Sequence, residues 1–128
     1  FLPPRYQSLI ALLFFFLVTI SIVQAQKTEL IDNYEEITAK AILELDTAMM
    51  SPEGKIYVFY QKNKLNGNIT LDLTIREKGE VASVFVVKNE NGSINSQNIL
   101  KDFLQNFQFS FKMPKGKRYK FQYEFKFD

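Results

Sequence analysis

The stretch RYKFQYEFKF near the end of the chain constrains the fold more than any other. Tyr119, Phe121, Tyr123, Phe125 and Phe127 alternate without error with Arg118, Lys120, Gln122, Glu124 and Lys126. Successive side chains of a strand point to opposite faces, so this period of two predicts a strand with one aromatic and one charged face. With 13 Phe and 6 Tyr in 128 residues, most aromatics must lie inside for a domain this small to be stable.

A second alternation begins at Asn68. Ile69, Leu71, Leu73 and Ile75 interleave with Thr70, Asp72, Thr74 and Arg76, again a strand buried on one side. Lys78-Gly79 supplies a turn, and residues 81–88 read as a more continuously apolar strand, so the two form an antiparallel hairpin. Asn89-Glu90-Asn91-Gly92 follows as a loop. It lacks the run of acidic ligands and the closing glutamate of a calcium loop, and reads as a plain turn. Residues 96–106 are expected to be helical, with Ile99, Leu100, Phe103, Leu104 and Phe107 on one face and Ser93 or Asn95 as cap. Met113-Pro114-Lys115-Gly116 then breaks the chain before the last strand.

Upstream, Leu30, Tyr34, Ile37, Ala41, Leu45 and Met49 recur at spacings of three or four, the stripe of an amphipathic helix running to about Met50. Asp32 with Glu35, or Thr28, is the expected cap, and the acidic first turn suits the positive end of the helix dipole. Ser51-Pro52-Glu53 looks like a fresh helix start, with Ser51 as N-cap and Pro52 at the first helical position. The following KIYVFYQKNK fits a strand by its β-branched and aromatic content, and fits a helix equally well along Ile56, Phe59, Tyr60 and Asn63.

These elements assemble into an α+β fold. If the last strand pairs with the first, the result is a three-stranded antiparallel sheet in the order second-first-last, with the helices packed on one face. The last strand is then an open edge. Such an edge can accept a partner's extended segment as one more strand, which makes Arg118, Lys120, Gln122, Glu124 and Lys126 the candidate partner-binding residues; the bland alternative is an edge kept soluble by its charges.

The residue inventory narrows the chemistry. The chain has no cysteine and no histidine, which removes disulfides, thiolate nucleophiles, zinc–thiolate sites and the usual nucleophile–base pairs. No catalytic, cofactor-binding or metal-binding residue is assigned, and no cofactor is expected. An enzyme would have to be a small hydrolase working with paired carboxylates, for which Asp72 and Glu124, facing each other across neighbouring strands, are the candidates. Charge is segregated: residues 112–126 hold six basic residues against one acidic, and residues 29–53 seven acidic against one basic. The two segments can attract each other within the fold or steer an acidic partner to the edge. The near-neutral total argues against a nucleic-acid partner. Two sequons, Asn68-Ile69-Thr70 and Asn91-Gly92-Ser93, matter only in a glycosylating pathway.

The opening residues are laid out differently from everything after them. Arg5 precedes an unbroken apolar run over 9–23 and then Val23-Gln24-Ala25, the arrangement of a signal peptide. The run falls short of the roughly 20 residues that a permanent membrane helix needs. Residues 1–25 are therefore expected to be a signal peptide cut before Gln26, with an uncleaved anchor as the alternative, followed by an amphipathic helical segment (26–50) and one domain (51–128).

Within 54–127 the spacing of Gly54, Ile56, Tyr57, Tyr60, Leu65, Gly67, Leu71, Leu73, Thr74, Ile75, Gly79, Val81, Val86, Val87, Ile99, Phe107 and Phe109 resembles a known family. It is similar to the C-terminal domain of the AgmX/PglI type within the TonB C-terminal superfamily. The resemblance implies two helices on a three-stranded antiparallel sheet, with KIYVFYQKNK helical. It also implies a noncatalytic periplasmic module in the cell envelope that binds another envelope protein, an outer-membrane protein among the candidates, by strand addition. A homodimer is a further possibility, and the membrane is a partner only if the leader is retained. The alternative function is a membrane-anchored TonB-like energy transducer serving outer-membrane transport. The chain departs from that pattern in lacking a Pro-rich spacer, and in carrying Lys88-Asn89-Glu90-Asn91 where the family shows Ser-Ser-x-Leu.

Overall fold

A computed structural model describes residues 29–127, and the expected leader with its cut before Gln26 lies outside the described residues. The elements in chain order are β1 (Glu29–Leu30), α1 (Tyr34–Ala48), α2 (Lys55–Asn63), β2 (Gly67–Arg76), β3 (Val81–Glu90), α3 (Ile94–Gln105), β4 (Phe111–Lys112) and β5 (Arg118–Phe127). The main sheet has the order β3-β2-β5 with both pairs antiparallel, so the expected α+β architecture and strand order are those observed.

The two period-two stretches behave as their patterns require. Ile69, Leu71, Leu73 and Ile75 are fully buried; Phe125 and Phe121 of β5, opposite Ile69 and Leu73, are buried as well, as is Phe127 opposite Gly67. The even-numbered partners on the other face stay half-buried or exposed. Against the buried face pack Ile37, Ala41 and Leu45 of α1, Ile56 of α2, and Leu100 and Leu104 of α3, all in one core. Each such aliphatic or aromatic side chain contributes about 1.5–3 kcal/mol by leaving water. Aromatic contacts tie the layers together: Phe59 of α2 stacks on Phe103 of α3 at 4.1 Å, and Tyr60 of α2 meets Phe127 of β5 at 4.9 Å.

Several expected boundaries move, each for an identifiable reason. The first helix begins at Tyr34 rather than Leu30, because Asn33, and neither Asp32 nor Thr28, is the N-cap: its side-chain oxygen accepts the Glu36 N–H at 3.1 Å. Leu30 belongs instead to β1, which pairs in parallel with β4, and Ile31 N–H continues the ladder to the Lys112 carbonyl at 2.8 Å. This two-residue pairing joins segments 82 positions apart (Glu29 with Phe111, Leu30 with Lys112), and no local period announces it.

The second helix starts at Lys55, so Ser51 is not its cap. Gly54 is, and it makes no side-chain capping bond. The chain comes so close to the end of α1 there that a Cβ on residue 54 would lie 2.2 Å from the Ala48 carbonyl oxygen, which only glycine tolerates. The ambiguous KIYVFYQKNK is the helix α2. The third helix runs from Ile94 with Ser93 as cap, its hydroxyl accepting from Ser96 N–H at 3.0 Å. The hairpin turn at Lys78-Gly79 holds, with Gly79 at φ +81 and its carbonyl accepting from Phe109 N–H at 2.9 Å. Asn89 and Glu90, expected in the loop, extend β3.

The candidate partner-binding edge

Strand β5 is positioned from both ends and from beneath. The turn before it closes with Lys117 N–H on the Pro114 carbonyl at 3.1 Å, and Gly116 takes φ +80. Thereafter all ten residues pair with β2 in one uninterrupted register, from Arg76↔Arg118 to Gly67↔Phe127. Among the described residues no strand lies on its far side, so β5 is an edge.

Its inner face is clamped by tyrosines. Tyr123 donates its hydroxyl to the Asp46 carboxylate of α1, and Tyr119 donates to the Asp32 carbonyl at 3.2 Å. Tyr34, whose ring lies 5.7 Å from that of Tyr119, donates to the Lys120 carbonyl of β5 at 3.0 Å. Burial pushes the Tyr123 hydroxyl well above its ordinary titration range, and the bond to Asp46 pushes it the same way. An edge held this firmly loses little conformational freedom when a further strand is added.

The five candidate residues all lie exposed on the outer face. They are not equivalent. Gln122 donates to Asp72 at 3.2 Å, Lys120 lies 3.6 Å from the other oxygen of Asp72, and Lys126 pairs with Glu124 at 3.5 Å. Arg118, at the start of the strand, makes no ion pair among the described residues. No ion pair among them joins the acidic helix α1 to the basic tail either, so the segregated charges do not neutralise each other by direct contact.

The carboxylates proposed for hydrolysis do not face each other. Register puts Gln122 opposite Asp72 and Thr70 opposite Glu124, and each acid is engaged by a lysine. No group of three or more Asp or Glu side chains converges as a metal site among the described residues. Asn89, in the stretch compared with a calcium loop, bonds within the protein: its oxygen accepts from Gly92 N–H and its amide donates to Gln97, both at 2.9 Å.

Two features escaped the sequence reading. One is the tyrosine clamp, whose only trace in the chain is Tyr34 on the apolar stripe and the tyrosines at 119 and 123 among the phenylalanines. The other is the irregularity of the sheet's second edge, β3. That strand slips against β2 twice, between Thr70 and Leu71 and between Thr74 and Ile75, which leaves Val87 and Ala82 without partners. Each bulge shifts the period of two, which is why 81–88 looks continuously apolar while Phe85 and Val87 are in fact exposed.

Among the described residues no helix is long and apolar enough to cross a membrane. Compared with protein-family models, with curated proteins and with solved structures, the chain matches none.

Proposed function

We propose that this chain is an exported, noncatalytic interaction module that takes an extended segment of another envelope protein as a fourth strand on β5. The observation that carries the reading is the ten-residue, bulge-free register of β5 with no strand on its far side among the described residues. Backbone groups along a straight edge supply a ladder for an incoming strand, and exposed side chains at alternate positions supply selectivity. The AgmX/PglI-type reading is part of the same proposal. It is supported by the motif spacing together with the close-packed Gly54 and the left-handed Gly79, positions where a glycine is required for physical reasons.

Export rests on the leader alone: cleavage after Ala25 leaves Gln26 a few residues ahead of β1, and retention of 1–25 leaves the anchored transducer instead. The test of the binding mode is a photo-crosslinking residue placed in turn at Gln122 on β5 and at Ser83 on β3, in cells. Adducts from position 122 and not from 83, abolished by Gln122→Pro in a chain with unchanged circular dichroism, are the expected result. Adducts that persist in Gln122→Pro would sink the proposal. N-terminal sequencing of the cellular protein, beginning at Gln26, tests the export half separately.

A further inference from the structure

The end of the sheet carries a charge arrangement that strand addition by itself does not account for. Arg76 closes β2 and Arg118 opens β5, and the register makes them direct partners with both side chains exposed on the outer face. Like charges directly opposite each other on an antiparallel pair destabilise it. Neither arginine forms an ion pair among the described residues, so no direct contact with a carboxylate relieves the repulsion. The turns on either side add Lys78 and Lys117, and the four cations line one cleft of about 380 Å³ with only Glu77 and Glu80 against them. Glu77 lies within the cleft, its carboxylate accepting the N–H of Gly116, which also lines it, so the lining sets four cations against two carboxylates.

Two arginines standing opposite each other and lining one cleft bring two donor forks to the same ligand-sized space. A carboxylate, with two oxygens and one charge, satisfies a single fork. A phosphate group has three or more acceptor oxygens and up to two charges, so it can engage both forks at once while the lysines add charge without directional demand. We propose that this cleft is a binding site for a phosphate group, with Arg76 and Arg118 as its directional contacts and Lys78 and Lys117 as supporting charge. The cleft is larger than a bare ion requires and accommodates a phosphorylated headgroup or sugar.

The experiment titrates inorganic phosphate into the full chain and follows arginine side-chain and Gly116 amide resonances by NMR, with acetate at equal ionic strength as control. Saturable shifts with phosphate alone are expected, weakened at least tenfold in Arg76→Gln and in Arg118→Gln. Equal shifts with acetate, or shifts unchanged in the double variant, overturn the site. A second variant reads the strain directly. Arg118→Glu replaces repulsion by attraction opposite Arg76, so it is expected to raise Tm by roughly 1–4 °C while abolishing phosphate binding; a lowered Tm with binding intact overturns the proposal. Vesicles of phosphatidylglycerol in phosphatidylcholine separate the two sources of phosphate. The leader is common to all chains, so the difference between the parent and the double glutamine variant reports the cleft alone. A difference assigns the site to a lipid headgroup, and no difference alongside a retained phosphate shift assigns it to a soluble phosphate compound.

Discussion

The two edges of the sheet are built on opposite plans. Edge β5 runs for ten residues without a bulge, buries Phe121, Phe125 and Phe127, and is fastened to α1 by Tyr34 and Tyr123 and to the chain just before it by Tyr119. Edge β3 has the same length, yet it is broken by two bulges and shows Phe85 at 66% and Val87 at 50% exposure. Bulges twist an edge away from the geometry that a further strand needs, and they are a common way of blocking unwanted pairing. The bulged edge thus carries the hydrophobic side chains, and the regular edge carries lysine, glutamine and glutamate. The two edges differ in backbone regularity as well as in apolar surface, and the proposed strand addition relies on the first.

The largest test of the contrast removes one aromatic from each edge. Phe125→Ala is expected to cost about 3–5 kcal/mol in denaturant unfolding, because a fully buried ring leaves a cavity. Phe85→Ala should stay within about 0.5 kcal/mol. A comparable loss at Phe85 would mean that its face is covered in solution. Next in size is proline on each edge. Gln122→Pro is expected to reduce capture of the crosslinked partner at least tenfold, whereas Val87→Pro, at an unpaired bulge position, leaves capture unchanged.

Tyr123→Phe probes the clamp and is expected to cost about 1 kcal/mol at neutral pH through its lost bond to Asp46. Its pH dependence has a definite sign. The folded state holds the Tyr123 proton more tightly than the unfolded chain, so this contribution is complete below about pH 10 and falls as pH rises beyond it. The parent should therefore lose stability more steeply than Tyr123→Phe between about pH 10 and 11 in parallel urea titrations, and equal slopes would remove the clamp from the account. The smallest expected effects come from the surface ion pairs. Lys120→Met on β5 should change stability by less than about 1 kcal/mol, and Lys88→Met on β3, where the Glu90 carboxylate holds the fully exposed lysine in its charged form, should leave the unfolding curve nearly unmoved, both effects shrinking in high salt.

Much of the fold was legible because the two best strands keep a perfect period of two, and a perfect period fixes which face is buried. The helices were legible as elements and less so at their ends. Ser93 was one of two candidate caps, but Asn33 was passed over because Asp32 and Thr28 are equally good capping types, and only the path of the backbone decides between neighbours. The edge residues 118–126 were legible as a set. The difference between Gln122 and Lys120, which share Asp72, and Arg118, which faces Arg76, was not, because it depends on which β2 residue stands opposite.

The sequence by itself determined the local periods, the turn at Gly79, the absence of cysteine and histidine chemistry, and the strand order that short antiparallel connections allow. Tertiary structure alone decided the two bulges of β3, the β1–β4 ladder, the tyrosine bonds beneath β5 and the meeting of Arg76 with Arg118. The physical reason is common to all four. Local periodicity says which side of an element is buried, whereas register between distant segments is settled by the packing of the whole core, and a slip of one residue would turn every side chain to the other face.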